Sequence, residues 1–235
     1  MQILLDIAAV VLGYVLGSIP FGLLIVKIKT GKDIRTVESG RTGGTNAARA
    51  AGIGAGLLTA ILDIFKGAAA VWVAQALDPA NHIVHVLAPV FAILGHNYSF
   101  FLLERDVNGK MKFRGGAGGA PALGGAAGLW PPIFPIAFGI GALIWFGIGI
   151  ASLTTMAVGL VVIITFAIRA YLGLQEPIDI TYGILAELLL IWALRPNIKK
   201  LLAGNERVVS TSLNGWLRAR REARQQADSN RPVHK

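Results

Sequence analysis

The stretch that decides the fold is IAAVVLGYVLGSIPFGLLIV, residues 7–26. It contains no charged side chain, and an α-helix of about 20 apolar residues is long enough to cross a bilayer. Residues 1–6 carry no basic side chain, whereas Lys27 and Lys29 follow the stretch directly. A cleaved signal peptide has the opposite charge arrangement. We therefore predict a retained membrane span that starts outside and ends in the cytoplasm.

The whole chain has the composition of a membrane protein. Of its 235 residues, 54% are apolar and only 15% are charged, and the mean hydropathy is +0.61. Soluble domains of this length rarely combine so few charges with so many apolar residues. We predict an all-α polytopic membrane protein. The absence of cysteine excludes a disulfide framework and a cysteine nucleophile.

Further apolar segments extend this prediction to a seven-span helical bundle, and the glycine-rich fourth segment leaves six or eight spans as alternatives. These segments are residues 51–76, 83–103, 118–130, 133–150, 153–171 and 179–194. The fourth span of the bundle is short and rich in glycine, and Pro131 and Pro132 end it. We expect a short or broken helix there, buried among its neighbours rather than facing lipid.

The basic residues predict the orientation. Of the 22 Lys and Arg residues, 20 lie within residues 27–49, 105–114 and 195–235. Seven crossings from an outside N-terminus place all three clusters on the cytoplasmic side, as the positive-inside rule requires. We therefore predict a bacterial inner membrane protein with a cytoplasmic site and C-terminus, and we expect no nucleic acid partner. We divide the chain into a membrane domain, 1–206, and a basic cytoplasmic tail, 207–235.

The tail leaves two interpretations open. One is a solvated, partly disordered end. The other is a basic helix on the anionic inner leaflet, with Trp216 and Leu217 entering the interface beside several arginines.

A glycine-rich loop on the predicted cytoplasmic side suits phosphate. Residues 39–46 read SGRTGGTN, and Arg49 follows. Glycines permit backbone conformations in which successive N–H groups converge on an anion, and arginines bind phosphate oxygens in bidentate fashion. The alternative is a flexible turn with positive-inside arginines. As phosphate-binding residues we predict Gly40, Arg41, Gly44, Thr45, Asn46 and Arg49.

A second loop, FRGGAGG at residues 113–119, again leads from a basic residue into glycines at the start of a helix. A helix N-terminus offers free N–H groups and partial positive charge, both of which suit phosphate. We add Arg114, Gly115 and Gly116 to the predicted phosphate-binding residues. Alternatively, the small residues allow helices to pack closely in lipid.

Other polar residues lie near the same predicted membrane surface. His96 is either a satisfied core group, or a hydrogen-bond donor to phosphate, or a proton carrier. Asp63 and Lys66, three residues apart in an apolar helix, are expected to form a structural ion pair, and the alternative is a direct contact with substrate. Ser152 and Asn197 are each unremarkable alone, but they lie at the same predicted membrane surface as the two glycine-rich loops. We therefore single out four residues as catalytic: Ser39, His96, Ser152 and Asn197. The four scattered histidines predict no metal site.

Taken in order, these elements resemble the PlsY family of bacterial glycerol-3-phosphate acyltransferases. The resemblance covers residues 12–206 and rests on several short motifs. They are GSIPFG at 17–22, the loop from Ser39 to Arg49, Asp63-x-x-Lys66-Gly67, Gly95-His96, FRGG at 113–116, Ala151-Ser152, and NIKKL at 197–201 with Gly204.

The resemblance implies transfer of a fatty acyl group from acyl phosphate to the 1-hydroxyl of glycerol 3-phosphate. The products are lysophosphatidic acid and inorganic phosphate, no cofactor is needed, and the donor's own phosphate helps to accept the proton. The implied partners are these two substrates and membrane lipids, and we expect a monomer.

Two positions depart from the family pattern. Arg41 stands where the family has asparagine, and Ala117 stands where it has lysine. We hypothesise that Arg41 replaces the missing charge. Two other functions stay open: acylation of a different acceptor, and non-catalytic binding or transport of anionic lipids or metabolites.

Overall fold

The computed structural model describes residues 1–105, 108–209 and 212–229, and most of these residues are helical. Ten α-helices and two strands are described, besides a short 3-10 helix at Ile34–Thr36. The helices are α1 (Gln2–Ser18), α2 (Phe21–Thr30), α3 (Gly44–Ala51), α4 (Ile53–Leu77), α5 (His82–Asn97), α6 (Gly119–Leu129), α7 (Ile133–Gly147), α8 (Ala151–Tyr171), α9 (Ile178–Leu202) and α10 (Leu213–Ser229). The strands are β1 (Ser99–Arg105) and β2 (Met111–Arg114).

Several helices have the length and composition of membrane spans. Within the described residues, three helical segments are both long and apolar enough to cross a bilayer: Gln2–Thr30, which comprises α1 and α2, then Ile53–Leu77 and Ala151–Tyr171. Helices α5 and α7 are apolar but shorter. Many large apolar side chains on the outer faces of the helices are exposed, as expected for surfaces that face lipid.

The first apolar stretch forms two helices rather than one. Helix α1 ends at Ser18, and α2 begins at Phe21. Pro20 has no N–H group to continue the hydrogen bonding of a helix, so the chain breaks there. The ammonium group of Lys66 in α4 donates a hydrogen bond of 2.9 Å to the carbonyl of Ile19 at this break. A basic side chain thus satisfies a backbone carbonyl that lies between the two helices.

Small residues let α1 approach α5 closely. A Cβ atom added at Gly13 would lie 2.3 Å from the carbonyl oxygen of Ala88, and one at Gly17 would lie 2.0 Å from that of Ala92. Both distances are far below van der Waals contact. The spacing of four residues between the two glycines places them on one face of α1, which is a common packing arrangement in membrane helices.

The fourth segment is a short helix, as the sequence predicts. Helix α6 has 11 residues, and most of them are buried. It packs against α4, and the hydroxyl of Tyr182 in α9 donates a hydrogen bond of 2.6 Å to the carbonyl of Ala122. The main apolar core joins helices α5 to α9, with Ile93, Phe166 and Tyr182 among its fully buried members. Helix α6 therefore lies inside the bundle.

A β-hairpin corrects the prediction of an all-α chain. The predicted third span, 83–103, ends early, because α5 stops at Asn97 and β1 begins at Ser99. Strand β1 pairs antiparallel with β2, with an irregularity between Ser99 and Leu103. The run SFFLL at 99–103 is apolar enough to extend a span. Its aromatic residues Phe100 and Phe101 instead lie exposed on a strand.

Candidate active site

A cavity of about 380 Å³ opens where the glycine-rich loop, the start of α8 and the end of α9 meet. Nine of the thirteen site residues predicted from the sequence line it: Ser39, Arg41, Gly44, Thr45, Asn46, Arg49, His96, Ser152 and Asn197. These residues come from parts of the chain that lie far apart in sequence. The folded bundle therefore brings most of the predicted residues to one place.

The cavity holds several cationic side chains. Arg41, Arg49, Lys200 and Arg207 line it, and two carboxylates, Glu38 and Glu206, lie among them besides the more deeply placed Asp63. The four cationic side chains outnumber the three carboxylates that line the cavity. The field in such a cavity attracts anions such as phosphate groups.

Arg41 is fixed in the wall of the cavity. Its guanidinium donates a hydrogen bond of 2.7 Å to the carbonyl of Ala193 in α9, 152 residues away in sequence. Burial lowers the pKa of this guanidinium from its ordinary value, while the nearby charge of Glu206 acts in the opposite direction. An arginine stays charged under such a shift. Arg41 therefore holds a positive charge at a defined position beside the cavity.

Glu206 joins two of the predicted catalytic residues. The side-chain amide of Asn197 donates a hydrogen bond of 2.7 Å to Glu206 Oε1, and the Ser152 hydroxyl lies 3.4 Å from the same oxygen. Ser152 is almost fully buried at the start of α8. Glu206 thus links the start of α8 to the end of α9 at the cavity. We did not single it out in the sequence, because an isolated glutamate in a basic segment carries no signal.

The segment after α9 also contacts the glycine-rich loop. Arg207 forms an ion pair of 2.8 Å with Glu38, and the hydrogen bond from Arg207 lowers the pKa of the Glu38 carboxyl below its usual range. Val209 donates a backbone hydrogen bond of 2.8 Å to the carbonyl of Gly149. Residues beyond 206, which we assigned to the tail, therefore contact the bundle and the cavity.

His96 belongs to a buried polar cluster at the inner end of the cavity. Lys66 and Asp63 pair at 2.9 Å, with exposed fractions of only 3% and 1%, which confirms the structural ion pair predicted from their spacing. The Nδ1 atom of His96 lies 3.6 Å from the same oxygen of Asp63. The ion pair therefore lies directly beside the imidazole, and Asp63 and His96 both line the cavity.

Gly115 and Gly116 lie outside the cavity lining and pack closely against His96. The N–H group of Gly116 donates a hydrogen bond of 2.9 Å to the carbonyl of His96. A Cβ atom at Gly116 would lie 1.9 Å from His96 Nε2, and one at Gly115 would lie 2.2 Å from the His96 carbonyl oxygen. Both glycines therefore make room for the backbone and ring of His96.

Arg114 and Gly40 also lie outside the cavity lining. Arg114 donates a hydrogen bond of 2.5 Å to Glu104 across the hairpin, and Arg35 approaches the same carboxylate at 3.4 Å. The hydrogen bond from Arg114 lowers the pKa of the Glu104 carboxyl. Gly40 lies beside Arg114 rather than against the cavity. The guanidinium predicted to bind phosphate is engaged in an ion-pair cluster because the hairpin, which the sequence did not predict, supplies its partner.

Asn46 lines the cavity, but its amide group supports the loop. Its Nδ2 atom lies within hydrogen-bond distance of the carbonyls of Ile34, Val37 and Arg41, at 3.2, 3.0 and 2.8 Å. These bonds hold the backbone from Ile34 to Arg41 in a fixed shape. Asn46 thereby positions Arg41, whereas Ser39 and Thr45 present exposed hydroxyl groups at the cavity.

Ala117 also lines the cavity. The position at which the resemblance leads us to expect a lysine therefore faces the same space as Arg41. Within the part of the chain that the structure describes, no group of three or more His, Asp or Glu residues is arranged to hold a metal ion.

Comparisons with known proteins agree with this arrangement. The sequence profile of the family described as glycerol-3-phosphate acyltransferase matches residues 7–204. Similar relatives named glycerol-3-phosphate acyltransferase occur in Rubrobacter xylanophilus, 35% identical over 87% of this chain and 95% of the relative, and in Thermus thermophilus, 37% identical over 83% and 91%.

Solved structures show the same fold. The integral membrane glycerol 3-phosphate acyltransferase PlsY (YgiH), in its glycerol 3-phosphate form, has a TM-score of 0.75 and 30% identity, covering 88% of this chain and 96% of that chain. Its lysophosphatidic acid form has a TM-score of 0.73 and 28% identity, with the same coverage. The chain is therefore a multi-pass membrane protein, and it belongs to the glycerol-3-phosphate acyltransferase family.

Proposed function

We propose that this protein transfers a fatty acyl group from acyl phosphate to the 1-hydroxyl of glycerol 3-phosphate, an early step of phospholipid synthesis. The observation that carries the proposal is the cavity lined by Arg41, Arg49, Ser152 and Asn197 in a chain of this family. Two phosphorylated substrates require cationic groups at close range, and the acyl chain requires access to lipid. A basic cavity within a membrane bundle provides both.

The reaction exchanges the mixed anhydride bond of acyl phosphate for an ester bond. The hydroxyl oxygen of glycerol 3-phosphate attacks the carbonyl carbon of acyl phosphate, and the bond from that carbon to the phosphate oxygen breaks. Inorganic phosphate leaves and carries away the hydroxyl proton, and lysophosphatidic acid remains. Because acyl phosphate is already activated, the protein needs no covalent nucleophile. Positioning of the two substrates and stabilisation of charge supply the acceleration.

The residues at the cavity suit these tasks. We assign the two phosphate groups to Arg41 and Arg49, since guanidinium groups bind phosphate oxygens in bidentate fashion. Ser152 and Asn197 offer a hydroxyl and an amide as donors to the oxyanion that develops on the carbonyl. His96 contributes a polar group at the inner end of the cavity. We propose that Arg41 supplies the charge that Ala117 lacks, because both residues face this space.

We further propose seven spans in the bacterial inner membrane, with the N-terminus outside and the cavity facing the cytoplasm. The three basic clusters support this orientation. We also propose a monomer with two parts, a membrane domain and a basic tail. The membrane domain comprises residues 1–206, and the tail, residues 207–235, contacts that domain through Arg207 and Val209.

A panel of donors and acceptors tests the proposed reaction. Purified protein in lipid nanodiscs is given palmitoyl phosphate, palmitoyl coenzyme A or palmitoyl acyl carrier protein, each with glycerol 3-phosphate. We expect lysophosphatidate only from palmitoyl phosphate. Product from another donor, but none from palmitoyl phosphate, would refute the assignment of acyl phosphate. Product with another phosphorylated alcohol, but none with glycerol 3-phosphate, would instead support a different acceptor.

A further inference from the structure

Helix α10 lies beyond residue 204, where the family match ends, and the acyl transfer chemistry assigns it no role. We propose that this helix lies on the membrane surface and binds the head groups of anionic phospholipids. The proposal rests on the placement and faces of the helix, and it does not depend on the proposed reaction.

The start of α10 is fixed to one end of the membrane bundle. Its Asn214 side chain donates a hydrogen bond of 3.2 Å to the carbonyl of Ile148, in the connection between α7 and α8. The buried Ser212 side chain packs against Gly149 in the same connection. Helices α7 and α8 are both apolar and pack against each other, and the chain reverses direction at the connection between them. Their shared end therefore lies near a boundary of the bilayer, so α10 begins at the depth of the lipid head groups.

Beyond its first turn, α10 leaves the protein surface. The side chains from Trp216 to Gln225 are all exposed, although they include large apolar groups. Leu213, Trp216 and Leu217 have exposed fractions of 58%, 47% and 41%. Their spacing of three and four residues places them on neighbouring positions of one helix face. An apolar face at the membrane boundary, uncovered by the described protein, is suited to the interface between head groups and acyl chains.

Three of the four arginines in α10 share the side of Leu217. At about 100° per residue, Arg220, Arg221 and Arg224 lie within about 60° of Leu217, whereas Glu222 lies about 140° away. The Arg220 guanidinium stacks over the Trp216 ring at 4.0 Å. Long basic side chains can extend from an apolar face to charged head groups while their stems stay in contact with apolar surface. The same side of the helix thus offers both apolar and cationic contacts.

Charge selects an anionic membrane as the partner. From Leu213 to Gln225 the helix carries four arginines and one glutamate, Glu222. Each basic residue near an anionic leaflet adds to the attraction, and tryptophan favours the interface. A soluble acidic protein would satisfy the arginines, but it would leave the exposed apolar side chains of Leu213, Trp216 and Leu217 without a partner at this end of the bundle.

Site-directed spin labelling tests the proposal in the full chain. The protein has no cysteine, so Leu217→Cys and Glu222→Cys each give one labelling site on an exposed side chain. Each labelled protein is reconstituted in phosphatidylcholine vesicles with and without phosphatidylglycerol. Access of the label to oxygen, which concentrates in lipid, is compared with access to a water-soluble nickel chelate.

We expect the label at position 217 to favour oxygen in vesicles with phosphatidylglycerol, while the label at position 222 favours the nickel chelate. Replacing Arg220, Arg221 and Arg224 by glutamine in the Leu217→Cys chain should reduce the ratio of bound to free helix about fivefold for each arginine. Equal access to water in both kinds of vesicle would overturn the proposal. A label at position 217 shielded from both reagents would also overturn it, because that result indicates a contact with protein.

Discussion

Replacing Gly116 by alanine tests whether this glycine makes room for His96 or binds phosphate. The added Cβ atom would lie 1.9 Å from His96 Nε2, whereas an ordinary contact requires at least 3.4 Å. The ring would have to withdraw by about 1.5 Å, and a misplacement of about 1 Å can cost about 100-fold in rate. The ring has little free space, since His96 is only 5% exposed and its backbone is bonded to Gly116.

We therefore expect Gly116→Ala to lower kcat about 100-fold and to destabilise the fold by about 1–3 kcal/mol, the usual cost of overpacking. Initial rates with palmitoyl phosphate, together with thermal unfolding in detergent, measure the two effects. Gly54→Ala is a matched control, because a Cβ atom at Gly54 would meet no atom within 4 Å. A normal kcat with a raised KM for one phosphate substrate would refute the steric role and favour phosphate binding by the loop.

Three further substitutions test other parts of the site. Arg41→Ala should lower kcat/KM about 100-fold or more, because it removes a fixed charge from the transition state, and initial rates measure the loss. Lys66→Met should lower the free energy of unfolding by about 3–5 kcal/mol, because it leaves Asp63 buried without its cation; thermal unfolding measures the loss. The double variant with Asp63→Leu should recover most of that stability. Arg114→Gln should change the rate by less than about twofold, since this arginine binds Glu104 at the surface. A tenfold loss would instead assign Arg114 to phosphate.

The sequence predicted the helical membrane class and most of the cavity. Hydropathy detects long apolar helices, and the proline pair at 131–132 indicates where the short fourth segment stops. Hydropathy could not separate the end of α5 from β1, because the run at 99–103 is as apolar as a span. The sequence analysis also missed the division of the first apolar stretch into α1 and α2 at Pro20. Counting apolar residues does not register that proline lacks the N–H group that a continuous helix needs.

The site residues show a similar limit. Glycines beside a basic residue predict an anion site. Gly115 and Gly116 match that pattern, but in the fold they pack closely against His96. We assigned Arg114 to phosphate because the sequence does not reveal its ion-pair partner. Glu104 faces Arg114 only when the hairpin has formed. Glu206 was missed because its contact with Ser152 joins segments that lie 54 residues apart in the sequence. Such roles depend on distances in the folded chain.

The most direct test of the proposed function is the stoichiometry of the reaction itself. Purified protein in nanodiscs is given palmitoyl phosphate and glycerol 3-phosphate, and lysophosphatidate and inorganic phosphate are measured in the same samples over time. We predict equal molar amounts of the two products, with phosphate release that depends on glycerol 3-phosphate. Phosphate release without lysophosphatidate, or no product above empty nanodiscs, would contradict acyl transfer by this cavity.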